Sequence, residues 1–179
     1  MYQITFHLKS LSPYIQNNPE GSIDEIKNKT AKTPIGKIIK DPMITGHKND
    51  SGFYIPSKQI RGSMITAAQK IKLGKGSIQN ILKACVFFET ITNQMLRGGK
   101  PIQTPDFIYN EPIFKMGKKS DMVFNPRVAF NDWEVAVKIN VLEDSIPKEK
   151  IDEVLNYAGL YVGIGSRRPE YGRFIIVRK

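Results

Sequence analysis

Two segments of strict two-residue alternation constrain this fold more than any other feature of the chain. In "YQITFHLK", Tyr2, Ile4, Phe6 and Leu8 fall on one side, and Gln3, Thr5, His7 and Lys9 on the other. In "WEVAVKINV", Trp133, Val135, Val137, Ile139 and Val141 face one way, and Glu134, Ala136, Lys138 and Asn140 the other. Successive side chains of a strand point to opposite faces, so both segments read as strands covered on one side and open on the other. "ACVFFETIT" (84–92) and "RFIIVRK" (173–179), short and rich in β-branched and aromatic residues, read as two more strands.

Helical spacing marks two further segments. From about Ser57 to Lys72, Ile60, Met64, Ala67, Ala68 and Ile71 share a face, with Ser57 placed to cap the helix and Gly74 to stop it. From about Pro147 to Ala158, Ile151, Val154, Leu155 and Ala158 turn inward, with Pro147 at the first helical position and Gly159 as the stop. Residues 16–52 and 97–121 carry turn formers and lysines without sustained periodicity and read as basic loop insertions. The order is strand, long loop, helix, strand, basic loops, strand, helix, Gly-rich loop, strand. It predicts an α+β fold in one domain spanning 1–179: an RRM-like or ferredoxin-like antiparallel sheet with two helices on one face. The uncovered face would carry the polar alternates, His7 and Lys9 among them.

Charge narrows the partners. Lys+Arg 27 against Asp+Glu 17 gives a net charge of +10, and clustered cations favour polyanions because they displace counterions from phosphates. Cys85, the only cysteine, lies in an apolar run and reads as a small buried hydrophobe that cannot form an internal disulfide. No apolar run approaches the ~20 residues of a membrane helix, and the N-terminus alternates rather than forming a signal core. These features predict a soluble, intracellular protein without a membrane partner.

The closing "GIGSRRPEYGRF" (163–174) carries the densest chemistry. As a dinucleotide loop it lacks the third glycine, since Arg168 stands there, and it follows a helix and feeds a strand instead of the reverse. "GKGS" (74–77) lacks P-loop spacing. As a strand-binding loop it offers Gly163 and Gly165 for close backbone approach, and Ser166 beside them. Arg167, Arg168 and Arg173 suit phosphate oxygens, and Tyr171 offers a face for a base. A plain helix-to-strand connection with solvated arginines fits the loop equally well. Lys58 and Arg61 fall largely off the apolar stripe of the first helix. His7 and His47, the only histidines, have no metal-ligand spacing, and no Ser-His-Asp or Cys-His arrangement is visible. Asp24 and Asp41 are the residues that would serve a metal-dependent phosphodiester cleavage, against a plainer role as loop carboxylates. Lys115, Lys118, Lys119 and Arg127 form a basic groove or keep a loop soluble.

Two stretches taken together resemble the RAMP superfamily, the repeat-associated backbone subunits of CRISPR effector complexes and their relatives. "KDPMITGHKNDSGFYIPSKQIRGSMITAA" (40–68) is similar to the "dP…G…YIPgSSLkGalR" pattern leading into the first helix, through Asp41, Pro42, Gly46, Tyr54, Ile55, Pro56, Ser57, Ile60, Arg61 and Gly62. "GLYVGIGSRRPEYGRF" resembles that superfamily's glycine-rich loop through Gly163, Gly165, Arg167, Arg168, Tyr171, Gly172, Arg173 and Phe174. Together with the segment that introduces the loop, the match covers about a third of the chain. Glu170 departs from it, standing where a glycine is usual, and Lys58 and Gln59 replace a serine pair. The resemblance implies an RRM-like core that binds single-stranded RNA along its open face, and the residues favour binding without catalysis or cofactor. It also implies head-to-tail copies or other effector-complex subunits as partners, in a prokaryotic cytoplasm. Other roles left open are a Mg²⁺-dependent endoribonuclease subunit using Asp24 or Asp41, a viral single-stranded DNA-binding protein in a host cytoplasm, and a decoy of the same fold.

Overall fold

A computed structural model describes residues 1–18, 42–110, 112–114, 122–124, 126–144 and 146–177. The labelled strands are β1 (Tyr2–Ser10), β2 (Tyr14–Ile15), β3 (Gly52–Pro56), β4 (Val86–Phe88), β5 (Thr92–Gln94), β6 (Phe107–Tyr109), β7 (Arg127–Phe130), β8 (Glu134–Val141) and β9 (Phe174–Val177). The helices are α1 (Ser57–Ala68), α2 (Gln79–Cys85) and α3 (Lys148–Tyr157). The two alternating segments lie side by side: β1 pairs antiparallel with β8 from Tyr2↔Val141 to Lys9↔Glu134. β9 joins the far edge of β1 from His7↔Val177 to Ser10↔Phe174, and β4 joins the far edge of β8 through Val86, Phe87 and Phe88. The six-stranded sheet therefore contains the run β9–β1–β8–β4, antiparallel throughout, with α1 and α3 in the two crossovers and the Leu96–Arg97 and Lys100–Pro101 hairpin joined to β8 at Glu134.

Alternation places the core on one face. Phe6 and Leu8 of β1 and Val135, Val137, Ile139 and Val141 of β8 are buried, whereas Gln3, Thr5, Lys9, Ala136 and Lys138 are exposed. Ile60, Met64 and Ala67 of α1 and Ile151, Val154 and Leu155 of α3 are fully buried in the same cluster. Burying such side chains contributes roughly 1.5–3 kcal/mol each, enough to decide which face of each amphipathic element turns inward. A smaller antiparallel sheet, β6–β7–β2, lies beside it. Its Tyr14 and Phe130 meet Trp133, Phe53 and Phe174 in a chain of ring contacts that ties the sheets together.

Several elements differ from their expected form. α1 ends at Ala68 rather than Lys72, because Lys72–Leu73 and Gly76–Ser77 form a hairpin whose turn contains Gly74. Pro56, not Ser57, is the N-cap, and the Ser57 hydroxyl instead donates to the Thr90 carbonyl. The expected strand 84–92 is broken: its start belongs to α2, whose Leu82 shares full burial with Ile78 one turn earlier. Apolar residues at 78, 81, 82 and 85 make that helical face, so the fold has three α-helices among the described residues rather than two. Cys85 is half-buried at the end of α2, with its thiol 3.3 Å from the Glu143 carboxylate that accepts from it. Burial and this carboxylate raise the thiol pKa.

Gly159 does not stop the last helix. Its chain continues through a π-turn, Ala158–Val162, to Gly163. Gly159 is needed for contact instead, since a Cβ there would lie 2.1 Å from the Phe174 carbonyl oxygen. The expected loops hold several regular elements where they are described. A 3₁₀ turn at Pro42–Thr45 and a strand pair between Lys48–Asn49 and β3 occupy the first. Hairpin strands at Leu96–Arg97 and Lys100–Pro101, β6, and a strand pair between Pro112–Phe114 and Met122–Phe124 occupy the second. No helix among the described residues is long and apolar enough to cross a membrane.

Candidate nucleic-acid interface

The glycine-rich segment folds on itself before it can meet anything else. Gly165 and Gly172 adopt left-handed backbone conformations, φ 79° and 74°, which L-residues with a Cβ avoid. A Cβ on Gly172 would lie 1.8 Å from the Ile164 carbonyl oxygen, and one on Gly165 would lie 2.5 Å from both the Ile15 oxygen and the Tyr14 ring. The backbone agrees: Ile164 N donates to Gly172 O (2.9 Å), Ser166 N to Ile15 O (2.9 Å) and Gly172 N to Pro13 O (2.7 Å). Gly163 N donates to Ala158 O and Tyr171 N to Arg167 O. These amides are spent inside the protein, so they form no phosphate cradle. What the loop offers outward is side chains: Ser166, half-buried, and the exposed Arg167 and Arg168. Arg167 is itself held at φ 62°, a strained conformation of the kind that clusters at functional sites.

α1 supplies the facing wall. Lys58, Gln59 and Gly62 join Gly165, Ser166, Arg168 and Asn17 around a shallow concavity of about 260 Å³. The concavity continues past Gly165 and Arg168 to Thr66, Arg167, Pro169 and Tyr161. Lys58, Gly62 and Thr66 are spaced four apart, so they form one stripe of α1, about 12 Å long at 1.5 Å per residue. A Cβ built on Gly62 meets nothing within 4 Å, so that point of the floor is open. Among the described residues the lining holds three cations, Lys58, Arg167 and Arg168, and no carboxylate.

A buried polar network fixes the floor. The Tyr14 hydroxyl donates to Gln59 Oε1 at 2.7 Å, and Gln59 Nε2 lies 3.3 Å from His47 Nε2. Full burial pushes the Tyr14 phenol far above its usual range, so it remains a neutral donor. Gln16, also buried, accepts from His47 N at 2.6 Å and donates to the Tyr54 carbonyl at 2.9 Å. Because buried polar groups are costly to leave unmatched, this network holds Gln59 in one orientation beneath the groove.

The structure gathers Lys58, Gly165, Ser166, Arg167 and Arg168 in this groove and places the other predicted residues elsewhere. Arg61 points away, donating to the Lys83 carbonyl of α2 at 2.8 Å. Arg173 closes the loop, its Nε donating to Pro169 O at 2.7 Å. Tyr171 is half-buried and meets Tyr109 edge-on, centroids 5.5 Å apart. Gly163 is buried. His7 and Lys9 lie on the uncovered sheet face, where Lys9 approaches Glu134 (3.7 Å) and Lys138 approaches Glu89 (3.6 Å). Asp24, Asp41, Lys115, Lys118 and Lys119 lie outside the described residues, and among the described ones no cluster of three or more His, Cys, Asp or Glu could hold a metal. Sequence reasoning did not single out Asn17, Thr66 and Tyr161, and it named Gln59 and Gly62 only as part of the RAMP-like stretch. The four-residue spacing of Lys58, Gly62 and Thr66, away from the apolar stripe, was the available signal.

The sequence matches no protein-family model, and no curated protein matches it. Solved structures do. A chain in the cryo-EM structure of the type III-B Cmr-beta bound to cognate target RNA superposes with a TM-score of 0.55 at 16% identity, over 98% of this chain. This chain spans 58% of that one's length. Cmr6 from Pyrococcus furiosus superposes with a TM-score of 0.44 at 13% identity, covering 99% of this chain and 98% of its own. At such identity the likeness to the Cmr-beta chain is one of fold: an α+β arrangement of helices on an antiparallel sheet, shared with a chain of a type III-B structure.

Proposed function

We propose that this chain is a RAMP-type subunit that binds single-stranded nucleic acid, RNA in the first instance, within a CRISPR effector complex. One observation carries the reading. The two stretches that resemble RAMP proteins lie about a hundred residues apart in sequence, yet they line the same groove through Lys58, Gly62, Gly165 and Arg168, with no carboxylate among its described lining residues. The sheet order β9–β1–β8–β4 with two helical crossovers supports a ferredoxin-like core. The fold shared with a chain of an RNA-bound type III-B structure supports RNA over DNA as the first strand to test. In this reading the groove holds the sugar-phosphate backbone by charge, and neighbouring copies or related subunits continue the row along the strand. The protein acts by binding, without catalysis of its own.

The test is equilibrium binding of RNA and DNA of one sequence at about 50 and about 200 mM salt, where phosphate contacts dominate the difference. Affinity that falls steeply with salt, and that favours RNA through the 2′-hydroxyl, supports the reading. Absence of binding at the lower salt rejects it.

A further inference from the structure

Tyr161 ends the groove in a way the proposed strand binding does not by itself explain. The side chain is 63% exposed, next to the exposed Leu160 and just before Gly163 and Ile164, which are buried. Its ring is propped from behind by Tyr157, with centroids 4.7 Å apart and planes at 42°. The ring divides two surfaces of opposite sign. On one side it shares the groove with Arg167 and Arg168; on the other it borders a hollow containing Glu149, Asp152 and Glu153. Of these carboxylates, Glu153 pairs with Lys150 at 2.7 Å.

We infer that Tyr161 is a stacking platform for an unpaired nucleobase at the end of the groove. This rests on the strand-binding reading above. The arginines hold the phosphates on their own side of the ring, and the carboxylates beyond repel a backbone that would continue straight. The base therefore lies over the Tyr161 face while the backbone turns away from the protein at that point. Stacking of this kind requires a splayed base and tolerates any base identity, because every base has a π-face. It selects single strands over duplex without reading sequence. Tyr157 is the positioning residue that holds the platform.

The experiment compares wild type, Tyr161→Ala and Tyr161→Phe on two probes of about 12 units, an oligouridylate and a phosphodiester chain of abasic spacers. Tyr161→Ala should weaken oligouridylate binding roughly 5- to 100-fold, the range of one lost base–aromatic contact. Its binding to the abasic chain and its salt slope should stay at wild-type values, and Tyr161→Phe should bind like wild type. Equal affinity of Tyr161→Ala and wild type for oligouridylate overturns the platform while leaving groove binding standing. Equal weakening on both probes also overturns it, because a stacking role cannot act on a chain without bases. A wild type that binds neither probe overturns the strand-binding reading and this inference with it.

Discussion

The uncovered sheet face and the groove beside α1 are both solvent-facing and both contain lysine, but their charges are organised differently. On the sheet, Lys9 sits opposite Glu134 in register, and Lys138 approaches Glu89. Among the described residues of this face, each of these ammonium groups is matched by a carboxylate. In the groove, Lys58, Arg167 and Arg168 converge without a carboxylate among the described lining residues. On the proposed reading, the stronger pull on a phosphate chain comes from the groove. Strand alternation identifies which face of a sheet is wet, and says nothing about which surface is charged to receive a partner.

The largest effect should come from the scaffold of the groove. Gly172→Ala forces a Cβ against the Ile164 carbonyl in a left-handed conformation. The loop should lose its shape at a cost of at least about 2 kcal/mol, lowering Tm by about 4–8 °C in thermal unfolding for a chain of this size. Strand affinity should fall with it, because Gly172 N and Ile164 N hold the loop that carries both arginines. Next in size is the double substitution Arg167→Ala, Arg168→Ala. Fold and Tm should be unchanged, affinity at low salt should drop roughly 10- to 100-fold, and the slope of log affinity against log salt should shrink by about 1.4. An unchanged slope would show that these guanidinium groups meet no phosphate.

The long strands were legible in the sequence because eight or nine alternating residues leave no other consistent assignment. α2 was not, although Ile78, Ile81, Leu82 and Cys85 spell a helical face. Seven residues cannot hold a helix alone, and the β-branched and aromatic run that follows, Val86 to Phe88, pulled the reading toward strand. The loop was legible as a site and misleading in its detail. Gly163 and Gly165 look like clearance for a ligand, yet their clearance is for Tyr171, Gly172, Tyr14 and Ile15. Arg61 and Arg173 looked equivalent to Arg168, and only tertiary structure shows that the Lys83 and Pro169 carbonyls engage them. Tyr161 was hidden because its exposure depends on the π-turn that follows Tyr157.

A smaller effect of opposite sign on stability should come from Gly62→Ala. An added methyl there meets nothing within 4 Å, and alanine improves a helix interior by up to about 1 kcal/mol, so Tm should rise by about 2–4 °C. The same methyl raises the floor of the groove, so strand affinity should decline as stability increases. A stabilised variant with tighter binding would place the strand off this wall.

The smallest effects should come from the sheet. Lys9→Ala and Lys138→Ala each leave a carboxylate without its neighbour, but both pairs are substantially solvent-exposed. Such pairs contribute between nothing and about 1 kcal/mol, so Tm should hardly move. If the strand lies in the groove, either substitution should change affinity by less than about twofold, a long-range effect that salt screens. The double variant Lys9→Ala, Lys138→Ala, measured beside Arg167→Ala, Arg168→Ala at matched salt, puts the two surfaces in direct competition. A larger loss from the sheet pair would move the strand onto the uncovered face and reduce the arginines to loop solvation. A larger loss from the arginine pair would hold the strand to α1, where convergence of cations, rather than mere exposure, marks the binding surface.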